Sequence, residues 1–310
     1  MVKRVLVTGG SGFVGRACLA RLAERGYEVH GVARTAPSWA PETQWHRCDL
    51  FDAVGVAALL AEVRPTHLLH LAWVTEPERY RRSGENFGWV RASLGLVEAF
   101  GRNGGKRVVA AGSCAEYDLL HGICSESATP LAPATPYGVC KHALQLMLSS
   151  AAELSDFSAA WGRLFFLYGP HEHPARLVSS VTRALLAGRE AACTPGNQVR
   201  DYLHVDDAAA ALVALLDSVA TGPFNVASGR PVAVGDLALM VGESCGRPDL
   251  LRLGALRARS DEPPLIVGEI ARIRTETGWE PRWGLREGVE ATVRWWAEML
   301  EAGTRSTSCG

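Results

Sequence analysis

The chain has 310 residues, a formal net charge of −1, 47% apolar residues and 21% charged residues. That length can bury the core of one large domain, or of one domain with a smaller lobe attached. The balance excludes a disordered or fibrous chain. With no basic excess and no acidic run, neither nucleic acid nor a membrane surface is an expected partner, and an anionic ligand must be met by locally placed arginines. Eight cysteines (Cys18, Cys48, Cys114, Cys124, Cys140, Cys193, Cys245 and Cys309) form no C-x-x-C pair. Free thiols in a reducing compartment are expected rather than disulfides or zinc. No apolar run is long enough to span a membrane, and the first strand has no charged leader before it. The expected location is cytoplasmic.

In chain order, "RVLVTGG" predicts a strand that ends in glycines, and Phe13 to Arg25 predicts a helix closed by Gly26. "YEVHGVA" is the next strand. A helix near Val54–Val63 leads to the strand "THLLHLA", and a helix over Phe87–Arg102 leads to "KRVVAAGS". A helix over Tyr137–Leu154 leads to "FSAAWGRLFF". Strands alternating with helices imply right-handed crossovers and an α/β fold: a doubly wound parallel sheet of Rossmann type, with helices on both faces. The second half is less regular. Helices are expected over Ala175–Gly188, Asp206–Ser218, Asp236–Ser244 and Leu285–Leu300, and a strand at "GPFNVAS". The reading is a dinucleotide domain over 1–165 and a smaller α/β substrate lobe over 166–310, with about 203–227 returning to the first domain. The final "GTRSTSCG" reads as a frayed tail.

"TGGSGFVG" places Gly9, Gly12 and Gly15 between a strand and a helix. A glycine pattern alone is weak evidence; in that context it allows a tight turn whose backbone N–H groups, with Ser11, Phe13 and Val14, reach a pyrophosphate at a helix N-terminus. A strand-end carboxylate would select NAD by bonding the ribose hydroxyls. The second strand here ends "GVART", with Arg34 and no acid. A guanidinium suits a 2′-phosphate, so NADP(H) is favoured over NAD(H); the alternative is that Arg34 stacks on adenine or faces solvent. Asp49, with Leu50 beside it, is placed to contact adenine or else to cap the following helix. Leu71 and Ala72 end the third strand beside the expected nicotinamide.

"PYGVCK" sets Tyr137 and Lys141 four residues apart, on one helical face. A phenol is a poor acid–base catalyst at neutral pH; a neighbouring ammonium, with the oxidised nicotinamide ring nearby, favours the phenolate and lowers its pKa, and Lys141 can also bond the nicotinamide ribose. Ser113, ending the fourth strand, emerges over the carboxyl edge of the sheet, where its hydroxyl can hold a carbonyl oxygen. His70 reads as structural. Trp295 and Trp296 read as core and rim of the last helix. His171 and His173 lack a third ligand nearby, so no metal site is expected.

Taken in order, "TGGSGFVG", "HLAW", "AGSCAEY", "YGVCK" and "VRDYLHVDD" resemble the extended short-chain dehydrogenase/reductase family, of the NAD-dependent epimerase/dehydratase type. The resemblance covers nearly the whole chain. It implies a Ser113–Tyr137–Lys141 catalytic set and a nucleotide-diphosphate sugar as substrate. Arg200 and Arg259 would sit at the phosphates, and Trp73 and Cys114 at the sugar. It also implies homodimers formed through the two long helices beside the active site. Two departures stand out. Phe166 occupies a position that often carries a substrate-binding Asn. Cys114 and Ala115 occupy the positions where dehydratases carry an acid and a base, with Glu116 one place later. These features favour NADPH-dependent reduction of a 4-keto-6-deoxy sugar, with epimerisation, then dehydration, as alternatives. A non-catalytic NADP sensor would not need all three catalytic residues.

Overall fold

The computed structural model describes residues 3–40, 42–77, 79–259 and 262–307. The first half runs β1 (Arg4–Thr8), α1 (Phe13–Glu24), β2 (Glu28–Ala33), β3 (Gln44–Arg47), α2 (Ala53–Val63), β4 (His67–His70), α3 (Glu85–Arg102) and β5 (Arg107–Ser113). A short β6 (Ile123–Cys124), then α4 (Pro136–Glu153) and β7 (Ser158–Leu164), complete it. Local chemistry sets the boundaries. The Asp52 carboxylate accepts from the Val54 and Gly55 amides and starts α2. Thr135 caps α4, with Pro136 in its first turn. Gly26, at φ +74°, turns the chain out of α1.

The second half runs β8 (Phe166–Tyr168), α5 (Leu177–Leu186), β9 (Ala191–Ala192), β10 (Val199–His204), α6 (Val205–Asp217), β11 (Gly222–Val226), β12 (Pro231–Ala233) and α7 (Val234–Ser244). It ends with β13 (Leu251–Arg252), β14 (Leu265–Gly268), α8 (Ala271–Thr277) and α9 (Leu285–Thr307). Seven strands form a parallel sheet in the order β11-β7-β5-β4-β1-β2-β3. Its centre is covered on both sides, so all seven residues of β5 are buried. Alternate residues serve opposite faces: Val5 and Val7 pack with α1 and α6, whereas Leu6 packs with α2, α3 and α4. A second sheet, β12-β10-β14-β6 with β8 beside β10, carries the other lobe.

Several elements differ from the sequence reading. β3 was not foreseen. It pairs in register with β2 and is held by Trp45, which packs on Gly31 and donates from Nε1 to the Ala40 carbonyl at 3.0 Å. The apolar run expected as one strand through Phe166 breaks at Phe165, which is buried in a separate cluster with Cys114 and Cys124; β8 then joins the second sheet. α8 was missed because seven residues show little periodicity. α9 continues to Thr307, into the stretch read as a frayed tail. Ser308–Gly310, with Cys309, lie outside the described residues. The described cysteines are free thiols. No described helix is long and apolar enough to cross a membrane.

Candidate active site

The glycine turn after β1 is sterically enforced. Gly9 has φ +68°, and a Cβ there would lie 2.7 Å from the Ala72 amide nitrogen; one on Gly15 would lie 2.1 Å from the Gly9 carbonyl oxygen. Gly12 caps α1 without a side chain, so the first helical N–H groups around Ser11, Phe13 and Val14 remain available to an anion. Opposite, Leu71 and Ala72 are held by a buried relay. The Ala72 amide donates to Thr8 Oγ1 at 3.3 Å, Thr8 Oγ1 pairs with His70 Nδ1 at 2.7 Å, and His70 Nε2 pairs with Ser93 Oγ at 2.8 Å. Ser93 donates onward to the Trp89 carbonyl, a direction consistent with a neutral His70 protonated on Nε2. Burial, with Lys141 adding to it, pushes His70 down to about 3. Its role is structural, as the sequence reading has it.

At the ends of β2 and β3 a cleft of about 740 Å³ is lined by Arg34, Trp45, Arg47, Asp49 and Leu59. Ala33 pairs with Arg47 across the two strands, so the exposed Arg34 has a second cation beside it that the sequence reading missed. The cap of α2 is Asp52, not Asp49; Asp49 accepts from the Phe51 amide at 3.0 Å and lines the cleft, next to a buried Leu50. A cradle that any Cβ would fill and a polar cleft at its end fit a dinucleotide.

Ser113 ends β5, and Tyr137 and Lys141 lie in the first two turns of α4. Lys141 Nζ donates to the Ala111 carbonyl at 2.8 Å and sits 3.8 Å from the Trp73 ring. Burial pulls this ammonium down to about 7, against the opposing charge of Glu116. Tyr137 is only 9% exposed. Burial pushes its phenol above the usual range, the charge of Tyr80 adds to this, and a hydrogen bond with Ser113 opposes it. The sequence reading expects a lowered phenol; the side chains around Tyr137 do not by themselves provide one, because desolvation outweighs them.

Glu116 is fully buried. It accepts from the Ser113 amide at 2.7 Å, Trp161 Nε1 at 2.9 Å and Arg163 Nε at 2.8 Å. The single 3₁₀ turn Cys114–Glu116 curls the carboxylate back onto the Ser113 amide, where Trp161 and Arg163 hold it. Burial, with Cys124 nearby, pushes the Cys114 thiol up to about 12. Arg200 is 2% exposed; it lies 5.6 Å from the Phe166 ring and donates to Glu262 at 2.9 Å. Its guanidinium is buried and ion-paired with the partly exposed Glu262. Arg259 is exposed and close enough to Arg81 for their charges to interact. Two buried acids of β10 and α6 are held by hydrogen bonds within the fold. Asp201 accepts from Ser228, Gly229 and Gly268, and Asp207 from the Arg282 and Trp283 amides. His171 contacts Arg16 and Trp295, and no cluster of metal-ligating side chains occurs among the described residues.

A doubly wound sheet with a glycine cradle after β1 and a second lobe over its carboxyl edge is the architecture of the extended short-chain dehydrogenase/reductases. The chain belongs to the NAD dependent epimerase/dehydratase family, whose model matches residues 5–227. It is 30% identical to the UDP-glucose 4-epimerase of Mycolicibacterium smegmatis, over 94% of this chain and 97% of that protein. Among solved structures, MoeE5 in complex with UDP-glucose and NAD is 29% identical over 96% of this chain and 99% of that one, with a TM-score of 0.83. Thermus thermophilus UDP-glucose 4-epimerase in complex with NAD is 25% identical over 94% and 98%, with a TM-score of 0.80. The protein is therefore an enzyme of the nicotinamide-dependent class.

Proposed function

We propose that this protein is a nucleotide-sugar 4-epimerase, which oxidises one sugar carbinol and reduces it again on a retained nicotinamide cofactor. The observation that carries this reading against dehydration is that, among the described residues that follow Ser113, no free acid and base stand beside Ser113, Tyr137 and Lys141. Glu116 is locked in its pair with Arg163, and Cys114 holds its proton. Dehydration, which needs such a pair, is disfavoured. The similarity to a UDP-glucose 4-epimerase along nearly the whole chain supports the same reading.

In the first half-reaction the Tyr137 oxygen takes the proton of the sugar hydroxyl. The Ser113 hydroxyl donates to the same oxygen as it becomes a carbonyl. Lys141, anchored on the Ala111 carbonyl, favours the phenolate and reaches the cofactor ribose. A bound nicotinamide would supply the hydride acceptor and donor for the carbon that bears that hydroxyl, and in its oxidised form a positive charge that favours the phenolate. The proton then goes back from Tyr137. Residues 1–165 hold the cofactor. The 166–310 lobe, with the 203–227 segment returning to the main sheet, places Arg200 and Arg259 at the diphosphate and closes over the sugar with Trp73 and Cys114. The relatives' complexes with UDP-sugars support that ligand class. Exposed Phe87, Val139, Leu146 and Met147 on α3 and α4 support a homodimer through those helices.

The cofactor preference we infer is NADP(H), on Arg34 and Arg47, although the named neighbours carry NAD. That preference also sustains a second reading, net NADPH-dependent reduction of a 4-keto-6-deoxy sugar. Product analysis separates the two. Formation of a 4-epimer with the bound cofactor back in its starting state is the expected result. One NADPH consumed per product would replace the epimerase with the reductase, and release of water would replace both.

A further inference from the structure

We propose that Glu116 is a positioning residue of the proton relay: its buried carboxylate clamps the Ser113 end of β5 and stands across a single strand residue from the Lys141 ammonium. This rests on the reading of Ser113, Tyr137 and Lys141 as the relay and adds a fourth member behind it. The end of β5 is gripped at two consecutive peptide units. Lys141 Nζ donates to the Ala111 carbonyl at 2.8 Å. In the next unit the Ser113 amide donates to Glu116 Oε1 at 2.7 Å. Gly112 lies between them, and only glycine fits there. A Cβ on it would lie 2.6 Å from Glu116 Oε1 and 2.0 Å from Trp161 Nε1. Trp161 Nε1 donates to the same Oε1 at 2.9 Å, and its ring lies 5.9 Å from Lys141 Nζ. The turn that carries Glu116 also sets the Ser113 hydroxyl, which accepts from the Ala115 amide at 3.2 Å. Its other side presses on α4 beside Tyr137, because a Cβ on Gly138 would lie 2.2 Å from the Ala115 carbonyl oxygen. Strand end, turn and first turn of α4 thus form one packed unit.

The carboxylate is a charge as well as a clamp. Glu116 and Arg163 are both fully buried, and Glu116 Oε2 accepts from Arg163 Nε at 2.8 Å. Arg163 Nη1 donates onward to the Tyr117 phenol oxygen at 2.9 Å, and Tyr117 donates to Asn225 Oδ1 at 2.8 Å. The pair is therefore oriented: Oε1 faces the end of β5, and the cation is held on Oε2 and points to Tyr117. With little water between them, charges act strongly over such distances. Burial pulls Lys141 down, and the charge of Glu116 opposes it. The other groups facing Lys141 are His70, which stays neutral, and the rings of Trp73 and Trp161. Glu116 also acts on Tyr137, Cys114 and His142. Without the carboxylate, the ammonium would lose the anion that opposes its desolvation, and a neutral amine cannot favour the phenolate.

The chain has three lysines, Lys3, Lys106 and Lys141, so each can be followed by NMR in protein carrying [ε-¹³C]lysine. The test is a pH titration of the parent chain and of Glu116→Gln, with the Lys141 signal identified by its loss in Lys141→Arg. In the parent, Lys141 should titrate at about 7. In Glu116→Gln its midpoint should fall by about one pH unit, a tenfold change in the ratio of ammonium to amine. Lys3 and Lys106 should stay where they are. Glu116→Asp keeps the charge and should restore most of the parent value. Glu116→Gln leaves Arg163 a lone buried cation, which is a costly state. If that variant does not fold, Glu116→Gln combined with Arg163→Met removes both charges, and the Lys141 midpoint should still fall, by less. An unmoved Lys141 midpoint in a folded variant overturns the proposal. So does an equal shift of all three lysines, which would give Glu116 a role in general stability only. Failure of the relay reading itself shows elsewhere, as turnover retained by Tyr137→Phe.

Discussion

Glu172 makes a prediction whose size follows from its surroundings. Its carboxyl is buried between β8 and α5, with the Ser179 hydroxyl donating to Oε2 at 2.8 Å. Burial raises it from 4.5 to about 7, against the opposing effects of Ser179 and Arg176. That displacement corresponds to about 3 kcal/mol between the two protonation states. The sign is that of an acid with a raised folded-state value. Below pH 4.5 both folded and unfolded chains hold the proton, and nothing is lost. Between 4.5 and about 7 the unfolded chain ionises first, so stability falls. Above about 7 the loss is complete. Glu172→Gln removes this dependence, and its amide oxygen can still accept from Ser179. Urea unfolding of both proteins at pH 5 and pH 8 should show the variant gaining roughly 2–3 kcal/mol on the parent between the two conditions. Groups common to both proteins cancel in that double difference. A stability difference independent of pH would mean that Glu172 ionises as readily in the folded state as in the unfolded chain, and that its burial carries no such cost.

The remaining predictions concern the cofactor and the relay. NADPH should bind at least about tenfold tighter than NADH, or about 1.4 kcal/mol, and Arg34→Asp should reverse the order; equal binding to the parent protein by calorimetry contradicts the role given to Arg34. Tyr137→Phe should cost roughly 10²–10⁴-fold in turnover with cofactor affinity nearly unchanged, because only the phenol oxygen is lost; a variant that keeps its turnover would remove Tyr137 from the chemistry.

Much of the nucleotide half was legible because its signals are local. A β-branched run that ends in glycines can be recognised without its neighbours, and the backbone geometry at Gly9 and Gly15 requires the residue the sequence supplies. The same holds for Ser113, Tyr137 and Lys141, whose placement follows from one strand end and one helix face. Short elements were not legible. β3 owes its existence to Trp45 closing over Gly31, a contact between residues fourteen positions apart that no periodicity records. Asp49 and Asp52 are both plausible helix caps on paper, and only the geometry of Val54 and Gly55 decides between them. The balance at the Tyr137 phenol was not legible for a related reason: sequence shows which charge stands near, but not how much water has been removed.

The surroundings of Tyr137 and Lys141 illustrate the deeper limit. Nothing in the spacing of Trp73, Tyr80 and Asn86 marks them as one unit, yet a single fully buried amide joins them. Asn86 Oδ1 accepts from Trp73 Nε1 at 2.8 Å, and its Nδ2 donates to the Tyr80 and Ser83 carbonyls at 2.7 and 2.8 Å. Trp73 in turn lies under the Lys141 ammonium, and Tyr80 abuts Tyr137. Asn86 thus ties the ring beneath the lysine to the ring beside the tyrosine, and fixes both against the start of α3. Such a junction is satisfied on every polar atom it uses, which is what makes it rigid. It is written in tertiary contacts alone, so a reading that goes residue by residue along the chain passes over Asn86 while singling out Tyr137 and Lys141, the proposed catalytic groups whose walls it holds.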